Sequence, residues 1–163
     1  MLTSASCKKV EKLFTFSIYN ESSIILQANV PINLPINVNT PNVTTNSSDQ
    51  FENNNSDAAH VKDIRLKNLL LTITSPSGKN FDFLKSIQIF ISTDANNEIE
   101  LASLDNIPTN TASIALLPTS EKLDNYLKSG TINLRTTYVK RQLQSQDVEV
   151  KVNSEFTVKA SVR

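Results

Sequence analysis

Two long stretches in which apolar and polar residues alternate constrain this chain more than any other feature. Every even-numbered residue from Ile24 to Val38 is apolar, and from Val148 to Val162 only Ser154 breaks the same rule. Alternation with a period of two places apolar side chains on one face of a β-strand and polar side chains on the other. The sequence therefore predicts an all-β, antiparallel fold in which both stretches cover a core.

Each of the two stretches carries an interruption that predicts its shape. Pro31 and Pro35 remove N–H donors from one flank of the first stretch, which predicts an edge strand or two strands with a bend near Pro31. The second stretch is longer than an ordinary strand. It requires either a long, coiled sheet or a bulge near Asn153–Ser154, and we favour the bulge.

Shorter segments between these stretches complete one domain. Turn residues and short apolar runs predict roughly seven or eight strands in all. One short α-helix is predicted near 120–128, with Thr119 or Ser120 as its cap and Gly130 as its left-handed C-terminal residue. A chain of 163 residues supports a single core, so residues 13–163 are predicted to form one antiparallel β-sandwich.

Residues 39–57 form the most polar part of the chain, and only Val43 and Phe51 among them are apolar. So little apolar surface cannot offset the entropy lost on ordering, which predicts a long, mobile polar loop. Long loops inside compact domains often carry function, although tolerated insertions are as frequent. The candidate binding residues of this loop are Asn42, Thr44, Asn46, Phe51 and Asn54.

The residues that most enzymes need at close spacing are missing. Gly78 and Gly130 are the only glycines and lie far apart, which excludes a phosphate-binding loop. One histidine, His60, and one cysteine, Cys7, cannot build a structural zinc site. The 16 basic and 16 acidic residues balance, so no net charge attracts nucleic acid. We predict a protein that is not an enzyme and has no catalytic residue, no cofactor and no nucleic-acid partner.

Two weaker binding signals remain. Asp94, Asn96 and Glu98 have the spacing of oxygen ligands in a calcium loop, but Ile99 stands where such a loop requires glycine. A polar hairpin tip is therefore preferred to a weak calcium site. Exposed aromatic rings can stack on the faces of sugars. Five phenylalanines fall in phase with apolar strand positions and are assigned to the core: Phe14, Phe16, Phe81, Phe83 and Phe156. Tyr19, Phe51 and Tyr138 remain as candidates for stacking.

The N-terminal residues Ser4-Ala5-Ser6-Cys7 resemble the end of a bacterial lipoprotein signal, with small residues leading to a single cysteine. The pattern departs from the family because Ser4 stands where leucine is commonest and only Leu2 represents the apolar run. The resemblance implies a lipidated Cys7 as the membrane contact, with residues 1–12 as signal remnant and tether. It implies the cell envelope as the location, at the periplasmic or surface face of the outer membrane.

Two functions follow from these observations. The first is a non-enzymatic, lipid-anchored envelope module that binds or supports an unknown protein or ligand, with a layout that resembles immunoglobulin-like and fibronectin-like sandwiches. The second is a carrier of an apolar, lipid-like ligand inside a partly open β-barrel, with Leu123, Tyr126 and Leu127 near the cavity. An ordinary free thiol at Cys7 would favour the second.

Overall fold

The computed structural model describes residues 12–162. Cys7, the residue predicted to be lipidated, lies outside the described residues, and its lipidation stays a prediction. Within this range no helix is long and apolar enough to cross a membrane. The elements in chain order are β1 (Leu13–Leu26), β2 (Ile36–Thr44), α1 (Ser47–Asn53), β3 (Val61–Ser75), a 3₁₀ turn (Phe81–Phe83), β4 (Leu84–Ser92), β5 (Ile99–Asp105), β6 (Ser113–Pro118), α2 (Asp124–Leu127), β7 (Thr131–Lys140) and β8 (Val148–Ser161).

The strand order is that of one long hairpin rolled up on itself. β1 pairs with β8, β2 with β7, β3 with β6 and β4 with β5, and every pair is antiparallel. Rolling adds the pairs β3–β8 and β4–β7, which gives the order β1-β8-β3-β6-β5-β4-β7-β2. This nested arrangement is an eight-stranded jelly roll.

The predicted all-β, antiparallel fold is confirmed, whereas a sandwich of two separate sheets is not. Ala102 and Ser103 of β5 pair with Pro118 and Leu117 of β6, so the strands form one continuous sheet. The order also differs from that of immunoglobulin-like domains, in which the first two strands are neighbours. Here β1 and β2 lie at opposite ends of the order. Alternation specifies which face of a strand is buried, but it does not specify the neighbouring strand.

The first alternating stretch forms two strands and not a single edge strand, which confirms the second of the two predicted alternatives. β1 ends at Leu26 and β2 begins at Ile36, so Pro31 lies in the connection between them. β2 is the last strand in the order, but Pro31 and Pro35 both precede it, so their missing N–H groups do not explain this edge position.

The bulge predicted near Asn153–Ser154 is wrong. β8 pairs with β1 without interruption from Val148 to Ser161. The register shifts lie in β3 instead, for example between Leu66 and Asn68. Because the unpaired extra residues at these shifts lie in β3, β8 keeps its alternation along its full length.

Residues 39–57 do not form the long loop that their composition predicts. They contain the end of β2 and all of α1. The Phe51 side chain is 0% exposed, and its ring lies edge-on to Phe16 with 6.4 Å between the centroids. Thr45 and Ser47 are also buried, and Ser47 donates a hydrogen bond to the carbonyl of Leu127. Because one buried ring orders the segment, a count of apolar residues underestimates its stability.

The helix predicted near 120–128 is present as one turn, α2, which begins only at Asp124. Neither Thr119 nor Ser120 caps it, and the Thr119 hydroxyl instead accepts a hydrogen bond from the Glu121 N–H. Gly130 has a φ of 80°, in agreement with the predicted left-handed residue.

The core lies between the two halves of the roll, and the Thr136 hydroxyl is one of three buried side-chain atoms within residues 12–162 that lack a hydrogen-bond partner. Thr136 of β7 is 1% exposed, and its hydroxyl makes no hydrogen bond within the described part of the chain. Burying an unpaired hydroxyl costs about 1–3 kcal/mol in proteins.

We therefore expect Thr136→Val to raise the free energy of unfolding by about 1 kcal/mol, because valine keeps the shape and removes the unpaired hydroxyl. Urea denaturation followed by circular dichroism measures the change. The matched control is Thr137→Val on the same strand. The Thr137 hydroxyl donates to Asn37 at 2.6 Å and accepts from Arg135 at 2.9 Å, so this variant is expected to lose stability. A Thr136→Val protein less stable than wild type would contradict the assignment.

Candidate functional site

A surface groove of about 690 Å³ crosses the outer face of the half-sheet formed by β1, β8, β3 and β6. The corner between β2 and α1 closes one side of it. The lining side chains that reach solvent include Tyr19, Asn46, Asn68, Leu70, Asn153 and Glu155. We refer to this feature as the outer groove.

The register of the strands aligns the outer groove in two rows. In one row Glu155 of β8 lies opposite Tyr19 of β1 on one side and Asn68 of β3 on the other. In the next row Asn153 lies between Glu21 and Leu70. Directly opposite side chains in antiparallel strands lie within contact distance, so each row is a set of interacting neighbours.

Glu155, in the first row, accepts hydrogen bonds from three neighbouring side chains. Its carboxylate accepts hydrogen bonds from the Ser17 hydroxyl at 3.0 Å, the Asn68 amide at 3.1 Å and the Tyr19 hydroxyl at 3.5 Å. The Asn68 and Ser17 hydrogen bonds hold the pKa of Glu155 below its usual range. At neutral pH the group is therefore an ionised hydrogen-bond acceptor in a fixed position.

The backbone of Tyr19 is held from the opposite side by α1. The Tyr19 N–H donates to the Gln50 side-chain oxygen at 2.7 Å, and the Gln50 amide donates to the Tyr19 carbonyl at 2.9 Å. One glutamine side chain thus pairs with the open edge of β1 as another strand would. The Tyr19 ring remains 61% exposed on this fixed backbone.

The lowered pKa of Glu155 gives a pH-dependent prediction. Because the folded-state pKa lies below the unfolded one, the carboxylate stabilises the fold above the unfolded pKa, and this contribution is lost as the pH falls through the folded value. Wild type is expected to exceed Glu155→Gln in urea midpoint at neutral pH, with the difference shrinking to nothing on acidification. Glu149→Gln, at an exposed position of the same strand, is the control. A difference that is independent of pH would contradict the assignment.

The candidate residues of segment 39–57 fall into separate environments. Thr44 and Asn46 line the outer groove. Phe51 is buried in the core, and Asn42 is an exposed residue of β2 with a φ of 57°. The Asn54 amide donates to the Gln50 carbonyl at the end of α1. The structure thus brings two of the five candidates into one site.

Of the three aromatic candidates for sugar stacking, only Tyr19 presents its ring to solvent. Phe51 and Tyr138 are both 0% exposed, and the Tyr138 hydroxyl accepts a hydrogen bond from the Gln27 N–H. Phe51 lies in α1, to which strand phase does not apply. Tyr138 lies on the same buried face of β7 as Ile132 and Leu134.

The candidate calcium residues lie in the hairpin between β4 and β5, as predicted for a polar tip. The Glu98 carboxylate binds the Arg135 guanidinium, with 2.6 Å between Oε1 and Nη2, and Arg135 holds the pKa of Glu98 below its usual range. The Asp94 carboxylate accepts from the Asn96 N–H within the turn. Among residues 12–162 no group of three or more His, Cys, Asp or Glu side chains is placed to hold a metal ion.

Sequence reasoning missed Asn68, Leu70, Asn153 and Glu155 as site residues. Asn153 and Glu155 belong to the polar phase of the second alternating stretch, which marks them as solvent-facing but does not distinguish them from the other polar residues there. Only the pairing of β8 with β1 and β3 shows that they meet Tyr19 and Leu70.

Two solved structures that resemble this chain are both distant from it in sequence. No protein-family model matches the sequence, and no curated protein matches it. A solved 60-mer BFDV capsid protein covers 93% of this chain and 95% of its own, with 8% identity and a TM-score of 0.40. A solved structure of desmodium yellow mottle tymovirus covers 91% of this chain and 90% of its own, with 9% identity and a TM-score of 0.32. Likenesses this distant carry no information about what this chain binds.

Proposed function

We propose that this protein is a non-enzymatic, lipid-anchored module of the bacterial cell envelope that binds its partner in the outer groove. The observation that carries the binding function is the groove itself, which combines an exposed aromatic ring with hydrogen-bonded polar groups on a sheet, whereas the anchor rests on the resemblance of Ser4-Ala5-Ser6-Cys7 to a lipoprotein signal. Its volume falls within the roughly 300–1,000 Å³ of small-molecule sites.

The chemistry of the outer groove supports binding over catalysis. A general acid or base at neutral pH needs a pKa near 7, which for a carboxylate means a raised value. The pKa of Glu155 is shifted the other way by its hydrogen bonds from Asn68 and Ser17. A carboxylate with a lowered pKa stays ionised at neutral pH and is a weak general base there.

The course of β1 suits an anchor at Cys7. Leu13, at the start of β1, pairs with Ser161 at the end of β8, so both lie at one end of the roll. The outer groove begins farther along β1, at Tyr19, on the side of the roll. A lipid on Cys7 would tether that end and leave the groove open to partners.

Lipidation is tested by growing a bacterial host that expresses the protein with an alkyne-tagged fatty acid. We expect label on wild type and none on Cys7→Ser, with the protein moving from the membrane fraction to the soluble one. Equal labelling of both proteins, or no labelling of either, would remove the anchor from the proposal.

Binding is tested by site-specific photocrosslinking in cells. A diazirine-bearing aliphatic amino acid replaces Leu70, which lines the groove and is 39% exposed. The same replacement at Leu117, which is 68% exposed and lies outside the groove lining, is the matched control. We expect a crosslinked product from position 70 only. No product, or equal products from both positions, would contradict the proposal.

The carrier hypothesis receives no comparable support. Leu123 and Leu127 are 0% and 1% exposed within the same core cluster as the buried residues of β1 and β8. Residues proposed to border a ligand cavity therefore pack against other side chains.

A further inference from the structure

The outer groove offers an apolar platform of the size of a sugar ring. Tyr19 is 61% exposed and Leu70 is 39% exposed, and the two occupy adjacent rows of the same sheet face. An aromatic face is electron-rich, so it attracts the weakly positive C–H groups of an apolar ligand face. Because Gln50 fixes the Tyr19 backbone at both its N–H and its carbonyl, little entropy is lost when a ligand stacks on the ring.

Polar groups with unused hydrogen-bonding capacity surround this platform. The side-chain amides of Asn46 and Asn153 make no hydrogen bond to any residue in the range 12–162, although both line the groove. Asn68, which also lines the groove, uses its amide N–H on Glu155, and its side-chain oxygen makes no hydrogen bond to residues 12–162 and can act as an acceptor. Each amide supplies both a donor and an acceptor, and a hydroxyl group needs that combination.

The charges at the groove are balanced by nearby lysines. Glu21 forms an ion pair with Lys151 at 3.2 Å, and Glu155 lies 3.7 Å from Lys67. Among residues 12–162 these two carboxylates are the only acidic side chains that line the groove. Because each carboxylate has a lysine neighbour, the charges of the groove favour neither a cationic nor an anionic ligand.

From these three properties we propose that the outer groove binds a short neutral oligosaccharide. One ring stacks on Tyr19 and contacts Leu70, while its hydroxyl groups bond to the amides of Asn68 and Asn153 and to the Glu155 carboxylate. A pyranose matches this arrangement because it has an apolar face of C–H groups and an edge of hydroxyl groups. The inference rests on the proposed binding function and specifies the ligand class for the same groove.

The full chain is tested on an array of neutral and charged oligosaccharides, and the best neutral binder is then titrated by calorimetry. We expect retention of neutral glycans and a loss of affinity of about tenfold in Tyr19→Ala, because the stacking contact is removed. Tyr19→Phe keeps the ring and is expected to stay within about threefold of wild type. Leu117→Ala is the surface control, and thermal melting of all variants confirms that each is folded.

Three results would overturn the inference: no glycan retained, retention of charged glycans only, or equal affinity of Tyr19→Ala and wild type. The crosslinking experiment at position 70 separates this failure from failure of the proposed function. A product at position 70 that contains protein and no carbohydrate would leave the binding function standing with a different ligand class. Absence of both glycan retention and crosslinking would reject both.

Discussion

Phe51→Ala is expected to lower the free energy of unfolding by about 3–5 kcal/mol, the range for removing a fully buried phenylalanine side chain. Phe51 is 0% exposed and is the residue that attaches α1 to the core through Phe16. The variant loses the transfer free energy of the ring and leaves a cavity between α1 and β1. Urea denaturation at neutral pH measures the loss.

A second measurement, hydrogen exchange of the Tyr19 amide, tests whether α1 holds Tyr19 in place at the groove. If α1 detaches, Gln50 no longer holds the Tyr19 N–H, so that amide is expected to exchange with deuterium faster in Phe51→Ala than in wild type. Phe51→Leu keeps most of the apolar volume, and we expect a smaller loss of about 1–2 kcal/mol. Wild-type stability in Phe51→Ala would mean that the segment is the unpacked loop that its composition predicts.

Asp124→Ala is expected to cost about 2–3 kcal/mol, because a charged hydrogen bond to a buried backbone group is lost. Asp124 is 9% exposed, and its Oδ1 accepts from the Ile64 N–H at 2.8 Å. The Leu123 N–H donates to the Ile64 carbonyl at 2.8 Å, so α2 occupies the edge of β3 where β6 does not reach. The alanine variant leaves the Ile64 N–H unpaired.

Asp124→Asn is the matched control for this prediction. The asparagine oxygen can still accept from Ile64, so the variant loses only the charge and its weak contacts with Lys122 at 3.7 Å and Lys128 at 3.9 Å. Both contacts are long and both lysine side chains are partly exposed, so we expect a loss of roughly 0–1 kcal/mol. Equal losses in Asp124→Ala and Asp124→Asn would show that charge, and not the hydrogen bond to β3, stabilises the docking of α2.

The outer groove shows how far sequence patterns reach in this protein. Tyr19 could be singled out as an unassigned ring, and Thr44 and Asn46 as polar residues of an unusual segment. Glu155 could not, because it meets Tyr19 across 136 positions of sequence. A site assembled across neighbouring strands is visible only when the register of those strands is known.

The sequence by itself determined the local properties of the chain: β-strands with one buried face and an interruption of the first alternating stretch around Pro31. These follow from period-two alternation and from the missing N–H of proline, which act within a few residues. Tertiary structure decided the order of the strands, the position of the register shifts in β3 and the folding of α1 onto β1. Each of these depends on contacts between distant segments, since the same alternating strand can pair with any neighbour that covers its apolar face and satisfies its edge.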